Sequence, residues 1–212
     1  MAEINTFYTF DKFLSYEEYV KRLLEENGSD FVFNDSAVHA SIVMKCILRN
    51  SKEVNMYCGK FSIFRDGFKD KIDLILKDER YEEYRSSVDF QKFKPYDDAV
   101  EALIHFFKEG GRMDVVVDED ISSIARESIW GKISEYYYDK KLRFYKRDSA
   151  TDQLSHFTVG DKKMFRFENS NINKTALCCF NDTKNSLAFV DCFNLIKRDS
   201  KEILLYTNIH AY

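Results

Sequence analysis

Two periods of apolar residues run through the chain and divide it into helices and strands. Tyr16, Val20, Leu23 and Leu24 form one helical stripe that stops at Asn27-Gly28, and Ser15-Tyr16-Glu17-Glu18 ahead of it has the form of a capping box. Residues 1–28 are therefore expected to be an N-terminal helical extension, with 29–212 as a single domain. The short run Phe31-Val32-Phe33 precedes a helix capped at Asn34, Asp35 or Ser36, with Ala40, Val43, Met44 and Ile47 on its apolar face and an end near Asn50. Val54 to Gly59 reads as a buried strand stopped by glycine. Residues 61–94 are ambiguous and are read as helix. Pro95 can open a helix whose stripe is Val100, Leu103, Ile104 and Phe107, and Gly110-Gly111 close it before a strand at Met113–Val117. Ile121, Ala125, Ile129 and Ile133 recur every four residues, which predicts a helix from Ile121 to Tyr137, followed by a strand from Leu142 to Lys146.

Beyond that point the period shortens to two. His156–Gly160, Lys163–Glu168 and Thr175–Phe180 read as three short strands, the first two joined by a tight turn at Gly160-Asp161-Lys162. A last helix, capped near Asn181 to Thr183, buries Phe189, Cys192, Phe193 and Ile196. Helices alternating with strands, then strands in succession, predict an α/β fold: a mixed parallel/antiparallel sheet flanked by helices.

Composition narrows the function only by exclusion. Aromatics reach 16% while the chain has 7 Gly and 1 Pro, so long elements are favoured over many turns. A net charge of −4 argues against a surface built wholly for nucleic acid, although it leaves room for a local basic patch. No stretch approaches the roughly 20 apolar residues that span a bilayer, and MAEINTFYTFDKF lacks the pattern of a signal peptide; no membrane partner and a cytoplasmic location are expected. The 5 cysteines include no C-x-x-C pair, so they read as core residues, and neither a metal nor another cofactor is implied.

Four places carry candidate chemistry. His39 lies in the first turn of its helix, where the helix N-terminus and the carboxyl end of the following strand would suit a phosphate; a packed core histidine is the plainer reading. Asp118-Glu119-Asp120 follow a strand and could bind a metal or act as acid and base, though more often such a run caps the next helix and is solvated. KKLRFYKR, residues 140–147, could contact phosphates and stack bases, but its alternation suits a solvated strand face. In HFTVGDKKMFRFE, residues 156–168, strand alternation puts His156, Thr158, Arg166 and Glu168 on one face and Phe157, Val159, Phe165 and Phe167 on the other. A histidine beside an arginine and a glutamate can attack or hold a phosphodiester, with His156 as nucleophile or acid/base, Arg166 as oxyanion clamp and Glu168 as orienting partner.

The order Val38-His39-Ala40, Tyr57-Cys58-Gly59, Gly110-Gly111 before a strand, and His-Phe-x-Val-x-Asp followed by Arg-x-Glu resembles small phospholipase D-like domains of bacteria, over residues 31–198. The resemblance implies a phospholipase D-like fold, with His156, Arg166 and Glu168 at the reacting centre and His39, Thr158 and Tyr57 lining the ligand. Active members carry His-x-Lys with an Asp beyond it. This chain has Thr158 at the lysine position and Lys163 at the aspartate position, and Asp161 falls two residues early, in the turn. These departures imply a catalytically weakened or inactive module that binds a protein partner or a phosphate-containing ligand, in a setting such as bacterial defence. The alternatives are a phosphodiesterase or nuclease using His156, completed by a homodimer or not, and a nucleic-acid binder acting through residues 140–147.

Overall fold

The computed structural model describes residues 9–148, 154–170 and 175–205. In chain order the elements are α1 (Phe10–Glu25), β1 (Val32–Asn34), α2 (Ala37–Arg49), β2 (Glu53–Cys58), α3 (Asp66–Leu76), α4 (Val88–Lys92), α5 (Pro95–Lys108), β3 (Arg112–Val117), α6 (Trp130–Tyr138), β4 (Leu142–Arg147), β5 (Phe157–Gly160), β6 (Met164–Ser170), β7 (Thr175–Cys179), α7 (Thr183–Arg198) and β8 (Ser200–Glu202). The strands form one eight-stranded sheet in the order β1-β7-β6-β5-β2-β3-β4-β8. Strands β2, β3 and β4 are parallel, and β5, β6, β7 and β1 continue antiparallel from β2. The sheet is therefore mixed and flanked by helices, with its parallel and antiparallel halves meeting at β2 and β5.

The two faces of the sheet are covered unequally. The larger core lies between the sheet and α2, α5 and α6, and joins Val43, Met44, Leu103, Val115, Val117 and Phe144. The other face is covered by α7, whose Val190 and Phe193 pack on Tyr57, Val116, Phe157 and Phe165. Alternation along each strand explains the division, because Val115 and Val117 face one layer and Val116 the other. Helix α1 lies on α2, and burial of a side chain such as Phe10 or Phe13 contributes about 1.5–3 kcal/mol. Lys45 of α2 bonds Glu17 of α1 and, at 3.0 Å, Asp98 of α5, so one buried ammonium ties three helices together.

Several elements differ from the sequence reading. Ser15 lies inside α1 and caps nothing, because Phe10 packs on Tyr84, Phe90 and Phe93 and carries the helix back to an N-cap at Thr9. Residues 61–94 are not one helix; two 3₁₀ turns, Ser62–Phe64 and Glu79–Tyr84, alternate with α3 and α4. The helix expected over Ile121–Tyr137 is a 3₁₀ turn, Ser122–Arg126, followed by α6. The break falls where Arg65 and Asp66 capture Glu127 and Ser128, with Arg65 Nε donating to Glu127 at 2.6 Å and Ser128 N to Asp66 at 3.1 Å. Gly110, at φ +85°, and Gly111 end α5 as expected, their N–H groups returning to Phe107 O and Phe106 O.

Candidate functional site

The hairpin in residues 156–168 forms as its alternation requires. Asp161 and Lys162 both have positive φ (47° and 58°), the conformation of a two-residue type I′ turn, and Lys163 N donates to Gly160 O at 3.1 Å. Asp161 is fully accounted for by this turn: its Oδ1 accepts from Lys52 N at 2.7 Å and from Glu53 N at 2.8 Å, pinning the turn to the start of β2. The register then sets Thr158 opposite Arg166, and places His156 just before β5, beside the carboxyl end of β2.

Glu168 receives both of its neighbours. His156 Nδ1 is 3.1 Å from Glu168 Oε2, and Arg166 Nη1 donates to Glu168 Oε1 at 2.9 Å. Arg166 is only 8% exposed, so it is a buried guanidinium and not half of a surface pair. The other ring nitrogen, Nε2 of His156, faces Asp118 Oδ2 at 3.5 Å. Tyr57 Oη donates to the Asp118 carboxylate, 2.8 Å from each oxygen, and Arg147 Nη1 donates to Tyr57 Oη at 3.1 Å. Gly59 lies against the imidazole; a Cβ there would stand 3.4 Å from His156 Cε1 and 3.3 Å from Glu119 Oε1.

The structure therefore brings His156, Arg166, Glu168 and Tyr57 together, with the buried Thr158 opposite Arg166 on the neighbouring strand. It places His39 in the helix layer, 1% exposed, with Nδ1 3.0 Å from Asp35 and its ring stacked on Tyr16 at 3.9 Å. Two residues enter that the sequence reading had assigned to solvent. Asp118 is no solvated cap; that role falls to Asp120, which accepts from Ser122 N at 2.9 Å. Strand β4 lies between β3 and β8, and the polar residues of KKLRFYKR are only partly solvated: Arg143, its side chain 41% exposed, pairs with Asp114 at 2.7 Å, and Arg147 turns to the cluster. Both residues stand at carboxyl ends of parallel strands, the edge where ligands gather in open α/β sheets, and a charge closing a buried strand is the signal that could have found them.

Burial works against the charged imidazole of His156, but the Glu168 hydrogen bond and charge, followed by the Asp118 charge, outweigh it and raise the His156 pKa. Burial likewise opposes ionisation of Glu168, yet His156 and Arg166 hold its carboxyl down to about 2. Burial and the Asp118 hydrogen bond push the Tyr57 phenol up to about 12. The signs give a pH dependence. The raised His156 pKa contributes stability that is complete below about 6.5 and lost as pH climbs through the raised value; the lowered Glu168 pKa contributes stability that is complete above about 4.5 and lost as pH falls towards 2. Urea midpoints measured from pH 3 to 9 should peak between those limits. H156Q should flatten the alkaline limb, and an unchanged limb would show that this imidazole is not the group involved.

No protein-family model matches the chain, and no curated protein matches it. Among solved structures it is similar to TrmBL2, an archaeal chromatin protein with a novel mode of DNA binding, at TM-score 0.54 and 12% identity over 91% of this chain. The chain spans 63% of that protein's chain, and at this identity the likeness is one of fold. It is also similar to Nuc from Salmonella typhimurium, a phospholipase D family member, at TM-score 0.49 and 11% identity over 82% of this chain and 99% of that one. The corresponding values for NucT from Helicobacter pylori are 0.46 and 10%, over 82% and 98%.

Proposed function

We propose that the chain is a divergent phospholipase D-like module, weakened or silent as a catalyst, whose His156 cluster binds a phosphate-containing ligand. The observation that carries this reading is the imidazole set between two carboxylates, Glu168 at 3.1 Å and Asp118 at 3.5 Å. A nucleophilic histidine needs a free lone pair on the attacking nitrogen. Here a carboxylate faces each ring nitrogen and the pKa is raised, which favours the imidazolium, a hydrogen-bond donor without a lone pair to give. Position 158, where the resemblance asks for lysine, is a buried threonine, and Arg166 directly opposite supplies the positive charge instead.

One observation favours a second reading. The Glu168–His156 pair also has the geometry of a carboxylate orienting a general base or nucleophile, and it fits a phosphodiesterase in which Asp118 moves aside. Incubating the wild type and H156A with bis(p-nitrophenyl) phosphate, RNA, and single- and double-stranded DNA separates the two. The expected result is no turnover that depends on His156, together with phosphate-dependent shifts of the His156 ring resonances. Hydrolysis abolished by H156A would establish the enzyme. DNA belongs among the probes because the archaeal chromatin protein that shares the fold binds it; binding without hydrolysis would identify nucleic acid as the ligand.

A further inference from the structure

The Asp118 carboxylate is held as a bound anion would be. Its two oxygens each lie 2.8 Å from the Tyr57 hydroxyl, with His156 Nε2 at 3.5 Å and Arg147 Nη1 at 3.8 Å. A phenol, an imidazole and a guanidinium from β2, the approach to β5, and β4 thus converge on one negative group. The backbone beneath is fixed. Asp118 N donates to Cys58 O at 3.2 Å, Lys146 Nζ bonds Asp118 O, and Glu119 N donates to Gly59 O at 3.0 Å. Only the side chain is left to turn.

We infer that Asp118 is an internal stand-in for the ligand, occupying the Tyr57–His156–Arg147 cradle and yielding it to a phosphate-class anion only when its own carboxylate swings out. This inference rests on the phosphate-binding reading above and adds its regulation. Two negative groups cannot share the cradle, since like charges a few ångströms apart in a partly buried site repel strongly. Any incoming phosphate therefore competes with a tethered carboxylate at high effective concentration, and its apparent affinity is reduced by the fraction of molecules in which the cradle is open. Asp118 is by this account a gating residue that sets the threshold for occupancy, while Tyr57, His156 and Arg147 make the contacts.

The test titrates the whole protein with inorganic phosphate, following the His156 ring nitrogens by NMR, for the wild type, D118N and D118S. Asparagine keeps an oxygen for the Tyr57 hydroxyl while removing the charge; serine removes the charge with a smaller side chain, which guards against a folding defect peculiar to either. Both should bind phosphate at least tenfold more tightly than the wild type, and both should show a lower His156 pKa, a change that loss of the Asp118 charge alone predicts. Equal or weaker binding by both variants overturns the gating role, while the parent reading stands if R166K still weakens phosphate binding. If neither the wild type nor the variants bind phosphate, the phosphate-binding reading and the gate fall together.

Discussion

Replacing Arg166 by alanine should lower stability by about 3 kcal/mol and weaken phosphate binding at His156. The guanidinium is buried, and its removal leaves the Glu168 carboxylate, itself less than a quarter exposed, paired only with an imidazole. Breaking a buried ion pair from one side costs about 3–5 kcal/mol, and partial solvation of Glu168 places this case at the lower end. With a urea m-value of about 2 kcal/mol/M, the midpoint should fall by about 1.5 M at unchanged m. The Glu168 carboxyl should titrate well above its present value of about 2, because one of the two cations holding it down has gone. A midpoint within about 0.3 M of the wild type would show that the burial of Arg166 is immaterial. Retained phosphate affinity would move the positive pole of the site elsewhere.

Gly160→Ala should be nearly as costly, at about 2–3 kcal/mol, for a different reason. A Cβ on Gly160 would overlap Ser51 Oγ and stand 2.9 Å from Ile47 Cγ2. Ser51 cannot simply rotate away, since its hydroxyl donates to Ile47 O at 2.6 Å at the end of α2. The strand would have to lift from the helix, and overpacking of this kind costs about 1–3 kcal/mol. Because Gly160 pairs with Val54 in the β2–β5 register, the lift would also disturb His156 four residues earlier. Thermal unfolding and the His156 ring shifts should change together. Destabilisation with an unperturbed imidazole would mean that the strand absorbs the strain locally.

These two positions mark the parts of the molecule that were legible in the sequence. Alternation with period two is dictated by strand geometry, so the faces carrying His156, Thr158, Arg166 and Glu168 followed from their spacing, and the turn followed from Gly160-Asp161-Lys162. Arg166 as a buried cation did not follow, because burial depends on which strands flank the hairpin, and β7 and β2 enclose it only in the folded sheet. Asp118 and Arg147 were obscured for a related reason. Each sits inside a run of charged residues that reads as solvated, and only the parallel register, setting Tyr57 beside Val116 and Val116 beside Tyr145, carries the following residues to one edge. His39 shows the opposite case, in which the plainer reading of a packed core histidine agrees with the fold. A histidine in the first turn of a helix suits a phosphate, but α1 packs across α2 and lays Tyr16 on the ring. In residues 61–94 and 121–137 the apolar recurrence was real, yet 3₁₀ turns interrupt it where polar side chains satisfy the backbone.

The meeting of β2 and β5 has a consequence for how the site is made. Tyr57, Asp118 and Arg147 belong to the parallel half of the sheet, whereas His156, Arg166 and Glu168 belong to the antiparallel half, and the pairs that join the halves, such as Val54 with Gly160, are more than a hundred residues apart in sequence. Neither half contains the cluster. During synthesis or refolding, a chain whose parallel strands have already assembled still lacks an imidazole for Asp118 to face. The arrangement is thus complete only once the long-range β2–β5 pairing has closed, a contact whose loop-closure cost is among the larger ones in the chain.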